Sequence, residues 1–332
     1  ASQRRSLREV LPLGDGRVEI DGQTVVDFAS NDYLGLAHHQ ELIDRANTWM
    51  QEFGAGSRAS RLISGNLQPL DRLENKLARL KGTETSLIFG SGFQANSSVL
   101  AALVDRQLRQ AGAVNVFSDR LCHASFHFGL AAGGVKQFRY RHHDLQHLEQ
   151  LLEEKSTDDS AALIATESIF SMEGDCLVVE ALREIAQRHD AMLYVDEAHA
   201  TGVTGENGMG LMAGTAADPT STLQAPAARE RRNEVVIGTF GKALGSYGAY
   251  VACSQPARDY LVNRCGGLIY STALPPMVLG AIDAALDLVR AMNAEREHLQ
   301  ELSRHLCREL GQNGFESLQS ETQIIPIVMS DD

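Results

Sequence analysis

The sequence predicts an α/β fold in which a mostly parallel sheet is covered by helices. From residue 83 onwards, short apolar and β-branched runs alternate with helical patterns, as expected when helices join parallel strands. A chain of 332 residues also exceeds what one hydrophobic core usually organises, so a large and a smaller domain are expected. We predict an N-terminal arm in residues 1–40, a large domain in 41–275 and the start of a C-terminal α+β domain in 276–332.

The elements follow from local patterns taken in chain order. Alternation between Arg17 and Phe28, next to glycine turn signals, predicts a small hairpin. Residues 40–53 and 69–81 carry the apolar stripes of amphipathic helices. The remaining predicted elements are strands at 85–89, 114–117, 135–139, 162–166, 191–195, 235–238 and 249–253, with helices at 93–104, 144–155 and 177–189.

The C-terminal part reads as a long helical segment and then a strand. A helix is predicted to begin after Pro275-Pro276 and to extend or restart as far as Gly311, because leucines recur at helical spacing and glycine favours a helix end. Residues 323–328 are predicted to begin a strand of the second domain.

Charge, hydropathy and cysteine content narrow the classes of function. The net charge of −13 argues against a nucleic-acid-binding surface. No apolar run reaches the roughly 20 residues that a membrane span needs. The five cysteines are scattered, odd in number and without metal-site spacing, which is typical of a reducing compartment. We therefore predict a cytoplasmic protein that binds neither nucleic acid nor a membrane.

Lys242 is the first candidate for chemistry. Val235, Val236 and Ile237 predict a buried strand, glycines break it, and Lys242 follows with only small or apolar neighbours. A desolvated lysine loses its proton easily and can form a Schiff base with an aldehyde. From this stretch alone, a solvent-facing lysine on a loop is an equally open interpretation.

A second strand end adds two further polar groups. Residues 191–195 predict a buried strand, Asp196 follows where it ends, and His199 lies three residues later. Ligands of open α/β sheets bind beyond the carboxyl ends of the strands, so Asp196, His199 and Lys242 are expected to share one crevice. There a carboxylate could pair with the ring nitrogen of a pyridine cofactor while the lysine holds its aldehyde. The alternative for Asp196 is a helix N-cap.

Seven sequence blocks carry a resemblance to a known family, in that family's order and over nearly the whole chain. The blocks are Ser-Asn-Asp-Tyr-Leu-Gly-Leu (30–36), Gly-Ser-Gly-Phe-Gln-Ala-Asn (90–96), Asp-Arg-Leu-Cys-His-Ala-Ser (119–125), Thr-Glu-Ser-Ile-Phe-Ser-Met-Glu-Gly-Asp (166–175), Asp-Glu-Ala-His-Ala-Thr-Gly (196–202), Thr-Phe-Gly-Lys (239–242) and Tyr-Ser-Thr-Ala-Leu-Pro-Pro (270–276). With these blocks the chain resembles the α-oxoamine synthases, which are pyridoxal-phosphate (PLP) enzymes of fold type I.

The resemblance implies a PLP-dependent acyltransferase that acts as a homodimer with shared active sites. The implied reaction is the decarboxylative condensation of an amino acid with an acyl thioester. The block at 270–276 favours L-alanine with pimeloyl-CoA or a pimeloyl carrier protein, a step of biotin biosynthesis. The alternatives are glycine with acetyl-CoA, succinyl-CoA or a long-chain acyl-CoA, a non-catalytic partner subunit of the same fold, or an aminotransferase.

The resemblance also implies roles for individual residues. Lys242 would join the cofactor aldehyde and move the substrate α-proton, Asp196 would pair with the ring nitrogen, and His123 would stack on the ring; these three are the expected catalytic residues. The other expected contacts are the amides of Gly92 and Phe93 and the hydroxyl of Thr239 with the phosphate, Thr272 with the phosphate of the neighbouring subunit, Ser171 and His199 with the phenolic oxygen, and Asn31, Glu167 and Arg5 with substrate. Arg4 or Arg8 would serve as well as Arg5.

Two further expectations concern a histidine cluster and the C-terminus. His142, His143 and His147 have no carboxylate or cysteine at convincing spacing, so the sequence predicts a solvated helix start and no metal site. The resemblance implies a later C-terminal segment with an arginine for the substrate carboxylate. Because the chain lacks that segment and an initiator methionine, we expect a truncated or processed form.

Overall fold

The N-terminal part of the chain forms a small sheet of its own. The structure is a computed structural model that describes residues 5–105, 113–157, 159–213, 231–315 and 320–327. Three antiparallel strands pair in the order β1-β2-β3, and a tight turn at Gly14-Asp15-Gly16 with positive φ at all three residues joins the first two. The predicted hairpin is thus present and is extended by one strand. The strands are β1 (Val10–Gly14), β2 (Arg17–Ile20) and β3 (Gln23–Val26).

The main sheet has seven strands, and it is the part of the fold that positions the functional residues. Its order is β4-β10-β9-β8-β7-β5-β6, and every strand runs in the same direction except β10, which is antiparallel to β4 and β9. The strands are β4 (Thr85–Phe89), β5 (Ala113–Asp119), β6 (Gln137–Tyr140), β7 (Ser160–Glu167), β8 (Met192–Asp196), β9 (Glu234–Thr239) and β10 (Ala249–Cys253).

Helices cover both faces of this sheet and create two apolar cores. Alternate residues of one strand enter different cores: Val236 lies in the first, whereas Val235 and Ile237 lie in the second. The first core also receives α2, α5, α6 and α9, and the second receives α3, α4 and α7. The helices are α1 (Gln40–Phe53), α2 (Gln68–Lys81), α3 (Gly92–Val104), α4 (Ala124–Ala132), α5 (Leu145–Lys155), α6 (Val179–Arg188), α7 (Gln255–Arg264), α8 (Gly266–Ile269), α9 (Pro276–Leu288) and α10 (Asn293–Gln312).

The predicted mostly parallel α/β fold is confirmed, and the predicted strands from 85 to 253 overlap the observed ones. Strands buried on both faces are continuous apolar runs, so their positions are visible in the sequence. The long helical segment predicted after Pro275-Pro276 was expected either to continue or to restart, and it restarts. A short 3₁₀ turn at Val289–Ala291 separates α9 from α10. Helix α9, from the predicted C-terminal domain, packs against α1 of the predicted large domain. The division into domains stays a prediction.

The strand predicted at residues 323–328 is wrong over its described part. Residues 323–326 belong to no strand, Ile327 forms a single bridge, and residue 328 lies outside the described residues. Side-chain bonds hold this segment instead: the Thr322 hydroxyl donates to the Gly174 carbonyl at 2.7 Å, and Gln323 Nε2 donates to the His199 carbonyl at 2.8 Å. The segment therefore lies against the loops at the carboxyl edge of the sheet.

The interpretation of the histidine cluster as a solvated helix start is also wrong for two of its members. Helix α5 begins at Leu145 with Asp144 as its N-cap, so His142 and His143 precede it. Both are half-buried, with 15% and 27% of the side chain exposed, and both face carboxylates that are distant in sequence. Local spacing could not reveal those partners.

Three neighbouring parallel strands end at one edge of the sheet. Strands β7, β8 and β9 finish with Glu167, Asp196 and Thr239, so these three side chains meet where ligands of open α/β sheets bind. Among the helices of the described ranges, none combines the length and apolarity that crossing a bilayer would require.

Candidate active site

Lys242 lies in the turn after β9, and its amine faces the carboxyl edge of the sheet. Its Nζ is 2.6 Å from Nε2 of His199. Burial lowers the pKa of Lys242, and the more distant charges of Asp196 and Glu167 only partly oppose that shift. The amine is therefore biased towards its neutral form, which is the form that acts as a nucleophile or base.

His199 links this amine to a chain of hydrogen bonds. Its Nδ1 lies 2.7 Å from the Tyr33 hydroxyl, and that hydroxyl donates to Asn31 Oδ1 at 3.0 Å. The phenol proton of Tyr33 goes to Asn31, so the proton in the contact between Tyr33 and His199 must come from His199 Nδ1. His199 Nε2 then carries no proton and accepts from Lys242.

The pKa shifts of His199 and Tyr33 agree with that assignment of protons. Burial, together with the charges of Lys242 and His123, lowers the pKa of His199 to about 3, so its ring is neutral at physiological pH. Burial raises the pKa of Tyr33 to about 12, although its contact with Gln323 works against the shift. A neutral phenol and a neutral imidazole thus stand beside the amine.

Asp196 is buried at the end of β8 and is held by two donors. Its Oδ2 accepts from Asn96 Nδ2 at 2.6 Å, and its Oδ1 accepts from the backbone N–H of Ala198 at 2.8 Å. The N-cap alternative holds in part, since Asp196 caps the turn that follows it and no helix begins there. Asn96 is fixed in turn by the Tyr194 hydroxyl, which donates to its Oδ1 at 2.9 Å.

His123 and Glu167 form the next part of the site. The backbone N–H of His123 donates to Glu167 Oε1 at 2.6 Å, and the His123 ring is exposed, with Nδ1 2.7 Å from the Ser125 hydroxyl. Burial, and then the neighbouring charge of Asp196, raise the pKa of Glu167 to about 8. The ring of His123 is therefore free to cover a planar ligand bound above Asp196.

The start of α3 offers an anion site beside Thr239. Ser91 caps the helix by accepting from the Gln94 N–H at 3.1 Å, whereas the N–H groups of Gly92 and Phe93 donate to no acceptor among the described residues. A Cβ added at Gly92 would lie 4.0 Å from Thr239 Cβ, which places the helix start next to the end of β9. Free amides and the helix dipole at such a position suit a phosphate.

The hydroxyl of Thr239 is already engaged by the chain itself. It donates to the Gly248 carbonyl at 2.9 Å and accepts from the Gly241 N–H at 3.1 Å. The direct phosphate contact expected from Thr239 stays a prediction.

Three of the residues expected at the site lie apart from this network. Ser171 is half-buried in the loop after β7, Thr272 is exposed and pairs with Ser60 in a β-bridge, and Arg5 is exposed without a hydrogen bond or ion pair to a described residue. Arg8 is exposed as well, and Arg4 lies outside the described residues. Their roles stay predictions.

Sequence reasoning assigned no role to several residues that the structure places in the network. Tyr33, Asn96 and Ser125 lie inside blocks of the resemblance, and the signal for Asn96 was a polar side chain on the apolar face of a helix. Gln323 had no local signal, because it reaches His199 only through tertiary folding.

Comparison with known proteins identifies the family of this chain. The family model described as aminotransferase class I and II matches residues 23–331. A Paramagnetospirillum magneticum protein, named provisionally as an 8-amino-7-oxononanoate synthase, is 49% identical over 332 residues, which are 100% of this chain and 80% of that protein. The 8-amino-7-oxononanoate synthase of Gluconacetobacter diazotrophicus is 47% identical over 331 residues, covering 98% of this chain and 79% of its own length.

Solved structures give the same result for the fold. The 8-amino-7-oxononanoate synthase of Francisella tularensis superposes with a TM-score of 0.73 at 26% identity, over 92% of this chain and 81% of that one. The serine palmitoyltransferase of Sphingomonas wittichii gives a TM-score of 0.85 at 25% identity, over 97% and 76%. The chain therefore belongs to the aminotransferase class I and II family, and within it to the α-oxoamine synthases, the PLP-dependent acyltransferases of fold type I whose members include 8-amino-7-oxononanoate synthase.

Proposed function

We propose that this protein condenses L-alanine with a pimeloyl thioester, carried by coenzyme A or a carrier protein, to give 8-amino-7-oxononanoate for biotin biosynthesis. The relatives that carry this name over nearly the whole chain support the choice of substrates. The observation that carries the chemistry is the Lys242 amine, which lies 2.6 Å from a neutral His199 and faces the Asp196 carboxylate.

The residues at the carboxyl edge fit PLP, group by group. The free amides of Gly92 and Phe93 would hold the phosphate, with Thr239 beside them and Thr272 contributed by the neighbouring subunit of a homodimer. Asp196 would hold the protonated ring nitrogen, Lys242 the aldehyde, Ser171 and His199 the phenolic oxygen, and His123 the ring face. When bound there, PLP supplies an electron sink for the substrate carbon next to the amino group.

The chain's own residues then provide binding, charge and proton transfer. In the net reaction the amino-acid α-carbon bonds to the thioester carbonyl carbon, the thiol leaves, and the carboxylate departs as carbon dioxide. Nζ of Lys242, whose pKa burial lowers, takes the proton from the α-carbon, and the return of that proton completes the product carbon. Asp196 is held in place by Asn96 and Ala198, which keeps its carboxylate where it would face the ring nitrogen.

Substrate contacts are proposed at the rim of the site. Asn31 is held by Tyr33, three hydrogen bonds from Lys242, and Glu167 accepts from the backbone of His123, so both would border the space above Asp196. Arg5, on the exposed N-terminal arm, would contact substrate carboxylate. We place the enzyme in the cytoplasm.

The test is a substrate panel with the purified, PLP-loaded protein. L-Alanine with pimeloyl-CoA or a pimeloyl carrier protein should release thiol and carbon dioxide together and give the amino ketone by mass spectrometry. Faster turnover of glycine with acetyl-, succinyl- or palmitoyl-CoA would assign a sibling activity instead. Pyruvate formation from L-alanine without thioester would indicate an aminotransferase, and failure to bind PLP would indicate a non-catalytic subunit.

A further inference from the structure

A cluster of metal-ligating side chains lies outside the active site, between the loop before α5 and the loop after β7. It consists of His142, His143 and Asp175, and one potential ligand atom of each lies within 4.8 Å of the others. In the part of the chain that the structure describes, this is the one such group of three. The sequence predicted no metal site here because Asp175 is 32 residues away, a separation that the numbering itself gives.

The distances between these atoms agree with a tetrahedral centre. Zinc binds imidazole nitrogen and carboxylate oxygen at about 2.0–2.2 Å, so two ligands of a tetrahedron lie about 3.3 Å apart. Asp175 Oδ2 is 2.8 Å from His142 Nε2 and 3.6 Å from His143 Nε2. The ligand–ligand distance of about 3.3 Å expected for a tetrahedral site lies between these two observed distances. Small side-chain rotations would therefore bring the three atoms onto one ion.

A buried carboxylate already orients both histidines. Asp119 Oδ1 is 3.0 Å from His142 Nδ1, and Asp119 Oδ2 accepts from the backbone N–H of His143 at 3.1 Å. A carboxylate that holds the far nitrogen of an imidazole is the usual support of a metal-binding histidine, because it directs the other nitrogen towards the ion.

Two atoms of the cluster are left without partners. His143 Nε2 and Asp175 Oδ1 are buried and make no hydrogen bond to a described residue. Buried polar atoms of this kind normally have a partner, and their lack of one calls for an explanation. Beside His143 lies a largely enclosed cavity of about 30 Å³, lined in part by Asp119 and Thr166, which is room for at least one water.

The charge balance of the cluster also favours a cation. Asp119 and Asp175 bring two carboxylates, and the arginines of the adjoining strand and loop are engaged elsewhere. Arg141 pairs with Asp144, and Arg139 donates to the backbone carbonyl of Arg120. The alternative to a bound cation is a protonated His142 that bridges Asp119 and Asp175. That arrangement would leave His143 Nε2 and Asp175 Oδ1 unpaired.

We infer that His142 Nε2, His143 Nε2 and the Asp175 carboxylate bind a divalent transition-metal ion, with water as the fourth ligand. Two imidazoles and one carboxylate suit zinc better than magnesium or calcium, which prefer oxygen ligands. The ion joins the loop before α5 to the loop that carries Ser171. Its role is structural, because the site is separate from the Lys242 network.

The experiment uses the PLP-loaded protein after treatment with a chelator and removal of free cofactor. Zn²⁺ titrated in a calorimeter should bind with a stoichiometry of one per chain, and Co²⁺ should give the visible absorption of a four- or five-coordinate N/O site. His143→Asn and Asp175→Asn should each weaken zinc binding at least about tenfold, the scale on which even supporting residues act. His143 has φ 55, a left-handed conformation that asparagine tolerates well, so this variant should fold.

A matched control and two contrary outcomes complete the test. His305→Asn removes an exposed histidine from α10 and should leave the zinc affinity unchanged. Absence of stoichiometric zinc binding by the wild-type protein would overturn the inference. Equal zinc affinity of the wild type and both cluster variants would also overturn it, because the ion would then bind elsewhere.

Discussion

A half-buried lysine, Lys242, and a fully buried one, Lys81, both contact residues of the same segment, 196–212, and their pKa values shift in opposite directions. Lys242 lies above the carboxyl edge of the sheet, against the neutral imidazole of His199. Lys81, at the end of α2, is fully buried; its Nζ donates to Glu197 and to the Met209 carbonyl and lies 5.5 Å from the centre of the Tyr250 ring. Burial disfavours the charged form of both lysines, yet their surroundings differ in one respect.

The difference is direct contact with a carboxylate. Burial tends to lower the pKa of Lys81, but the charge of Glu197 and the contact with Tyr250 outweigh it and raise that pKa overall. Burial lowers the pKa of Lys242. The charge of Asp196 opposes this shift only from a distance, because its carboxylate oxygens accept from Asn96 and Ala198. The contact with Glu197 therefore biases Lys81 towards its charged form, whereas burial biases Lys242 towards its neutral, nucleophilic form.

Lys81 holds residues 196–212 in place, and this segment contains His199, the residue that Lys242 contacts. Glu197 follows Asp196 directly, pairs with Lys81, and accepts the Met212 N–H at 2.7 Å. Gly210 leaves no space for a side chain at this point, since an added Cβ would lie within 3 Å of the Glu197 carboxylate. The buried pair thus holds the loop on which Asp196 and His199 stand.

The largest expected effect comes from removing the reactive amine. Lys242→Ala should lower product formation by at least about 10³-fold, because it deletes both the attachment point of the aldehyde and the group that moves the α-proton. The urea midpoint of unfolding should change little, since Lys242 makes no ion pair with any residue that the structure describes. Product formation at an ordinary rate would contradict the role given to this residue.

The next effect tests the structural lysine. Lys81→Met leaves Glu197 charged and unpaired in the interior, so the free energy of unfolding should fall by about 3–5 kcal/mol. Urea unfolding measures this loss. The double variant Lys81→Met/Glu197→Gln should recover part of it, and a single variant as stable as the wild type would show that the pair is not needed.

Chemical modification compares the two amines directly. In cofactor-free protein at pH 7, reductive methylation followed by mass spectrometry should label Lys242 faster than Lys155, since the lowered pKa of Lys242 raises the fraction of its amine that is neutral. The labelling rate of Lys242 should also level off at a lower pH. Lys81 should be labelled only after unfolding, and rapid labelling of Lys81 would break the contrast.

A smaller effect concerns the acid beneath His123. The pKa of Glu167 is about 8 in the folded protein and 4.5 ordinarily, so between these values the unfolded chain loses a proton that the folded chain keeps. The stability that this proton contributes is complete below pH 4.5 and is lost as the pH rises to about 8. Glu167→Gln keeps the acceptor for the His123 N–H and should remove this slope in urea unfolding of the cofactor-free protein; an unchanged slope would contradict the assignment.

The smallest expected effect belongs to a surface ion pair used as a control. Arg188 Nη2 lies 2.5 Å from Glu149 Oε1, with 52% and 33% of the two side chains exposed. Arg188→Ala should therefore leave the urea midpoint of unfolding nearly unchanged, because exposed ion pairs contribute little to stability. A loss as large as that of Lys81→Met would mean that burial is not what distinguishes these pairs.

The parts of this fold that sequence predicted well are those with a local physical signature. Strands β8 and β9 are apolar runs buried on both faces, and their ends placed Asp196 and Lys242 at one edge of the sheet. The predictions that failed depended on distant partners. Residues 323–326 have strand-like composition but are held by side-chain bonds to Gly174 and His199, and His142 meets carboxylates from other loops.

The amino-acid sequence by itself determined the fold class and the order of the elements and made Lys242 a candidate, because hydrophobic periodicity and strand ends are local properties. Only the tertiary structure decided that the pKa is raised for Lys81 and lowered for Lys242. That choice depends on whether Glu197, Asp196 or His199 comes within hydrogen-bonding distance of each amine, and such distances arise only when separate strands and helices pack together.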